Sequence, residues 1–402
     1  MSTIAPRPFG ADSLPEIPSP PENRSEDIEF KHDLVAQFLE SSECDALLLT
    51  LPENMAWFTS GGDFRKLPTE PATAAVFITP DARVIVTDNV RSPLIFETIV
   101  PQLGFQLKER PWQQPLEQLI QDLCRGRKVA SDTNNDRTHD AREQLQQWRM
   151  RLTQLDQERS RILGKLLVHG IEATARNSRP LQTEAEIAGE VAHRLVKRKL
   201  QPLRIQVCAD GINARHRDWT YSDHLVRNYV TIKASATRWG LCVSASRTLA
   251  FRSIPDEVQQ AHADAMLLQA TSRYFTQAKW QANDTWQRVQ RIYEKFGHSY
   301  EWHQAEQGAI AAYQLCEQRL PTRTGIELQP GMLVRWHPSV NQAMVDETIL
   351  VRNSGAELIT PVEFWPTQTV VVKGHSLECP DILLRDARES VEFDSRLPDG
   401  LI

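Results

Sequence analysis

The chain has 402 residues, 41% of them apolar and 24% charged, which is enough for two globular domains with real cores and excludes a fibrous or wholly disordered polymer. A net charge of −6 with both signs well mixed offers no basic field to nucleic acid. No apolar run approaches the roughly 18 residues that a membrane span needs, and no charged n-region leads into an apolar h-region at the start. The six cysteines, Cys44, Cys124, Cys208, Cys242, Cys316 and Cys379, form no C-x-x-C pair, so free buried thiols in a reducing cytoplasm are expected.

In chain order, residues 1–27 carry six prolines among Ser, Glu and Arg, with too few large apolar groups to offset the entropy of ordering. They are predicted to be a disordered tail. Phe30, Leu34, Phe38 and Leu39 then fall at helical spacing from Ile28 to about Glu40. The spacing next predicts a buried strand over 46–49, a hairpin of 74–79 and 83–87 around Pro80-Asp81, helices near 92–100 and 115–125, and a strand over 128–131. Strands separated by helices point to a small α/β domain over 28–135.

A charged helical connection is predicted over 136–177, with Ile162, Leu163, Leu166, Leu167 and Ile171 on one apolar face and 142–161 on a solvated one. Thr183 and Glu186 make a capping-box pattern before Ile187, Val191 and Leu195, which opens a further domain over 178–385. Strands follow over 205–208, 230–235 and 239–246. One helix is opened by Pro255, and another holds Trp286, Val289, Ile292 and Phe296 before Gly297. Strands return over 332–336, 347–351 and 369–372, and a tail over 386–402 ends the chain. The order of two helices and then strands, met twice, hints at an internal duplication. Trp280, Trp286, Trp302 and Trp336 read as core or interface anchors. Gly61-Gly62 is too short to cradle a phosphate.

Several segments resemble a known family. The runs Cys44-Asp45-Ala46-Leu47-Leu48-Leu49 and Pro52-Glu53-Asn54-Met55-Ala56-Trp57-Phe58-Thr59-Ser60-Gly61, the helix start Thr183-Glu184-Ala185-Glu186, and the turn Gln329-Pro330-Gly331-Met332 are similar to the pita-bread hydrolases. That family includes Xaa-Pro dipeptidase, aminopeptidase P, methionine aminopeptidase and creatinase. The resemblance implies an α+β pita-bread (creatinase/aminopeptidase) domain with a curved antiparallel sheet backed by helices, preceded by a small α/β creatinase N-terminal-like domain. It also implies a homodimer in which one subunit's N-terminal domain borders the partner's cleft.

Carried over residue by residue, the family's metal-ligand positions are occupied by Lys233, Ser244, Glu306, His337 and Asp346. Two aspartates are replaced by Lys233 and Ser244, and only Asp346 keeps a carboxylate in its original place. The segment Glu301-Trp302-His303-Gln304-Ala305-Glu306-Gln307-Gly308 places Glu306 on the histidine ligand, whereas a shifted register would place His303 there. A two-metal hydrolytic site needs hard anionic ligands. An ammonium about 4 Å from a dication repels it by about 8 kcal/mol at an effective dielectric near 20. A dinuclear site is therefore not expected, and no cofactor is. Lys233 is instead expected among Glu306 and Asp346, neutralising them where metals otherwise would.

Three functions stay open from the sequence. The leading one is a relative of Xaa-Pro dipeptidase and aminopeptidase P without the metal pair, binding a small molecule or short peptide without catalysis. The second is a creatinase-like, metal-independent hydrolase of a C–N bond, in which His216 exchanges a proton while Glu306 or Asp346 orients the substrate. Arg215 and Arg217 would be surface charge or anchors for a substrate carboxylate. The third is an aminopeptidase with one ion on Glu306, His337 and Asp346.

Overall fold

Short apolar runs and the helices between them set the first half of the molecule. The computed structural model describes residues 24–385 apart from 67–69, 134–136, 252 and 322–324. Strands β1 (Ala46–Leu49), β2 (Ala75–Thr79), β3 (Ala82–Asp88), β4 (Gln106–Arg110), β5 (Val129–Ser131) and β6 (His139–Asp140) form one sheet in the order β4-β3-β2-β1-β5-β6. The central strands β1, β2 and β3 pair antiparallel. Strand β4 lies parallel to β3, as a helical crossover at Ser92–Leu94 and Ile95–Ile99 requires.

Three corrections to the sequence reading concern this half and the connection after it. The first helix runs Arg24–Ser41, so residues 24–27 are not tail: Asp27 is buried on Lys31 at 2.6 Å, and Arg24 donates to the Thr59 carbonyl at 2.8 Å. The rest of the predicted 1–27 tail, and the tail predicted over 386–402, lie outside the described residues. The helical connection predicted over 136–177 divides, within the described residues, into β6 and the helices Arg142–Met150 and Gln154–Asn177. The break occurs where Leu152 N bonds the Gly331 carbonyl at 3.1 Å and Thr153 caps the next helix through Asp156 N. Nor is 142–161 merely a solvated face, because Arg149 is buried on Glu317 at 2.5 Å, and Asp156 and Arg159 are buried as well, Asp156 on Lys31 and Arg159 on the Ser60 carbonyl.

The second half holds β7 (Gln201–Ala209), β8 (Tyr229–Arg238), β9 (Leu241–Phe251), β10 (Gly308–Ala311), β11 (Gln318–Leu320), β12 (Leu333–Trp336), β13 (Ser339–Val340), β14 (Ala343–Met344), β15 (Glu347–Arg352), β16 (Gly355–Leu358), β17 (Thr367–Val372), β18 (His375–Pro380) and β19 (Leu383–Arg385). One sheet has the order β19-β9-β8-β7 and another β11-β10-β12-β15-β16; β13-β14 and β17-β18 are separate hairpins. Helices Gln154–Asn177 and Glu184–Lys197 precede the first sheet, and Asp256–Phe275 and Ala282–Lys295 precede the second, the order expected of a duplication. The Thr183–Glu186 capping box is present in both directions, at 3.1 and 2.7 Å.

The β8–β9 hairpin turns on Trp239 and Gly240, both at positive φ (55° and 77°), so the predicted strand over 239–246 begins two residues late, at Leu241. A Cβ on Gly240 would meet the Ala56 Cβ at 2.6 Å, which shows how closely the hairpin tip seats on the N-terminal part. One apolar core runs across this contact, from Leu47 and Trp57 through Leu163 and Leu167 to Ile232, Val243 and Ala245. A second lies between the later helix pair and its sheet and contains Trp286, Val289, Val334, Trp336 and Ile349. All six cysteines are free, with four buried, and no helix among the described residues is long and apolar enough to cross a membrane.

Arg247, fully buried on the core side of β9, binds Glu172 Oε1 at 2.9 Å and Glu347 Oε1 at 2.6 Å. Removing it would strand two buried carboxylates, which typically costs about 3–5 kcal/mol. Arg247→Met is therefore expected to lower the urea unfolding free energy by about that much, whereas Arg161→Met, at the half-exposed pair with Glu357, should cost about 1 kcal/mol or less.

Candidate functional site

Strand periodicity sorts the residues around the cleft. Along β8, Val230, Ile232, Ala234 and Ala236 alternate with Thr231, Lys233, Ser235 and Thr237, and along β9, Val243, Ala245 and Leu249 alternate with Cys242, Ser244, Ser246 and Thr248. The apolar set enters the core under the helix Gln154–Asn177, leaving a polar face toward β15. In the antiparallel register Lys233 lies opposite both Gln206 and Ser246, and Ser235 opposite Ser244. Side chains then join the two sheets: Asp346 N donates to Ser246 Oγ at 2.8 Å, and Thr348 Oγ1 donates to the Ser244 carbonyl at 2.9 Å.

Asp346, fully buried just before β15, receives the convergence of this face. Its Oδ2 lies 3.1 Å from Lys233 Nζ, 2.8 Å from an Arg335 Nη and 2.8 Å from Ser244 Oγ. Burial alone would raise the carboxyl's pKa, but Arg335 and Lys233 together hold it far below the usual carboxylate range. Lys233 itself is pushed below its ordinary value by burial, against the pull of Asp346. Arg335 is the partner that sequence reasoning missed. It stands two residues before His337, so a period of two places both on one face, which was the available signal.

Glu306 belongs to a different group. It lies 2.9 Å from Arg319 Nε and 3.5 Å from His337 Nε2, so Lys233 neutralises Asp346 but is not Glu306's ion-pair partner as expected. Burial would raise Glu306, and its contact with His337 together with the nearby Arg335 and Arg319 charges brings it below its ordinary value. Gln307 fixes this segment by accepting from Tyr293 Oη at 2.7 Å and donating to the Ala305 carbonyl at 2.8 Å. His303, the alternative occupant of the histidine position, is exposed and stacked on Trp302 at 3.7 Å.

His216 sits on the 210–228 loop, which Glu184 anchors by accepting from Ala209 N, Trp219 Nε1 and Ser222 N and Oγ, each within 3.1 Å. Arg217 is not surface charge, because it binds Glu301 at 2.7 Å and the Asn341 carbonyl at 3.1 Å. A pocket of about 590 Å³ is lined by His216, Lys233, Glu306, Arg319, Arg335 and His337 among others. His216 and Glu306 thus face one space, while Asp346 lies beneath it.

The donor set does not suit the metal pair that the sequence resemblance implies. The oxygens of Asp346 are already taken by two cationic side chains and a hydroxyl, and no group of three or more His, Cys, Asp or Glu among the described residues could hold an ion. Glu306, His337 and Asp346 therefore do not meet as the ligands of a single ion either.

His337 faces Arg335, Glu306, Lys233 and Asp346, and burial followed by the Arg335 charge lowers its pKa from 6.5 to about 4. The folded protein favours the neutral ring, so this contribution is complete above pH 6.5 and is lost as the pH falls toward 4, by roughly 3 kcal/mol in all. His337→Asn is expected to flatten that part of the stability profile, measured by urea unfolding across the interval.

No family model matches the chain, and no curated protein does. Solved structures do. The Xaa-Pro dipeptidase from Bacillus anthracis is 15% identical, with a TM-score of 0.67 over 84% of this chain and 99% of that one. The prolidase from Pyrococcus horikoshii OT3 is 14% identical, with a TM-score of 0.71 over 83% and 99%. The X-Pro aminopeptidase from Thermotoga maritima MSB8 is 15% identical, with a TM-score of 0.70 over 88% and 99%. At these identities the likeness establishes the architecture, and the chain accordingly has the two-domain pita-bread fold of the prolidases and Xaa-Pro aminopeptidases.

Proposed function

We propose that this protein is a peptidase-like homologue that has lost the dinuclear metal site and acts by binding a small molecule or short peptide in its cleft. The observation that carries this reading is the pairing of Asp346 with Lys233 and Arg335 at 3.1 and 2.8 Å. A guanidinium is always charged, and one held about 4 Å from a dication opposes it by about 8 kcal/mol at an effective dielectric near 20. Arg335 and Lys233 together therefore offset what one remaining carboxylate offers a metal. The six free thiols favour a reducing cytoplasm, and the resemblance favours a homodimer.

A second reading has one specific observation in its favour, the shared exposure of His216 and Glu306 to the pocket. In it His216 carries a proton during metal-independent hydrolysis of a C–N bond and Glu306 orients the substrate, whereas Asp346, sealed under two cations, serves only to hold Lys233 and Arg335.

Purified protein dialysed against manganese or zinc should retain less than one ion per chain by elemental mass spectrometry and should not cleave Xaa-Pro dipeptides. A pair of retained ions with turnover would contradict the first reading. Hydrolysis of creatine-like amidines or small amides by metal-free protein, abolished in His216→Ala, would establish the second reading in its place.

A further inference from the structure

We propose that the pocket above Asp346 is an oxyanion site, built for the carboxylate of a small organic acid or for a phosphate group. The proposal rests on the reading that Lys233 and Arg335 stand where metals otherwise would.

Charge balance points to it first. Five cationic side chains line the pocket, Arg204, Arg217, Lys233, Arg319 and Arg335. Their carboxylate partners number four: Asp218 for Arg204, Glu301 for Arg217, Glu306 for Arg319, and Asp346 shared by Lys233 and Arg335. The surplus positive charge therefore falls at the floor, where two cations divide one carboxylate. An ion arriving there would complete the pairing.

Unused donors point the same way. Arg335 spends Nε and one Nη on Asp346, and its other Nη has no partner among the described residues. Among the described residues Lys233 has only Asp346 as an ionic partner, although an ammonium carries three donors. Beside them the buried His337 Nε2 reaches Glu306 Oε1 only at 3.5 Å, too long for a good hydrogen bond. A buried polar atom so weakly partnered is unusual in a folded protein and leaves a place for a ligand oxygen. The arginine fork and the ammonium suit the two oxygens of a carboxylate or phosphate.

The walls limit the rest of the ligand. Only Ala305 and Met344 contribute wholly apolar side chains, so an apolar body has little to bury, and about 590 Å³ admits a compact polar molecule.

Isothermal titration calorimetry on metal-free protein at low ionic strength, with succinate in one arm and inorganic phosphate in the other, tests the assignment. Saturable binding with a Kd below about 10 mM is expected in at least one arm, and the arm that binds more tightly identifies the source of the oxyanion. Lys233→Met should weaken that binding at least about tenfold. Arg319→Gln alters a side chain that is 80% exposed and should leave the fold intact while also weakening binding. The absence of saturation in both arms, or variants that bind like the parent, would overturn the proposal. Manganese retention measured on the same preparation keeps the two readings apart: retained manganese contradicts the loss of the metal site, whereas silence in both anion arms without retained metal contradicts only the oxyanion site.

Discussion

A carboxylate sealed from water needs a counter-charge, and the whole cleft is organised by how Asp346 obtains one. In this chain the counter-charge is supplied by two side chains anchored on different sheets, Lys233 from β8 and Arg335 from β12. Because both are covalently fixed, the attraction is present as soon as the sheets meet and depends on no dissolved ion. It also joins the two sheets, together with Ser244 Oγ and Ser246 Oγ, which bond the same aspartate. The expense of burying three charges is offset only when their pairing is close and the remaining donors are used, which is why the unspent donors of Arg335 carry weight.

Behind that site a second buried ionic group, Glu172, Arg247 and Glu347, holds β9 against β15 from the opposite face. The two groups share adjacent residues, Asp346 and Glu347, which stand where the chain enters β15 and serve opposite sides. One of the pair serves the cleft and the other the core. A similar cluster at the domain contact, Lys31 with Asp27 and Asp156, ties the first helix to the long connecting helix. Ion pairs of this kind demand defined geometry, and here they set the position of each layer relative to the next.

Much of the architecture was legible in the sequence because its signals are local. The apolar run at β1, the capping box at Thr183 and the helix punctuated by Gly297 each act within a few residues. The placement of Lys233 and Ser244 facing Asp346 was legible through the two-strand resemblance, since period two carries every second residue to one face. What sequence could not supply was long-range. The break before Thr153 depends on Gly331, far along the chain, and the hairpin at Trp239 depends on a left-handed conformation uncommon for tryptophan. Arg335 escaped notice because the resemblance directs attention to ligand positions and not to the residue two places earlier. Glu306 was found but assigned the wrong partner, because Arg319 sits on a short strand, β11, that carried no pattern of its own.

The most direct test of the central claim is a crystal soaked in manganese and recorded at the manganese absorption edge. The account predicts no anomalous peak beside the Asp346 carboxylate, with the Lys233 ammonium and the Arg335 guanidinium in contact with its oxygens. A peak bridging Asp346 and Glu306, or a Lys233 side chain turned out to solvent, would contradict it.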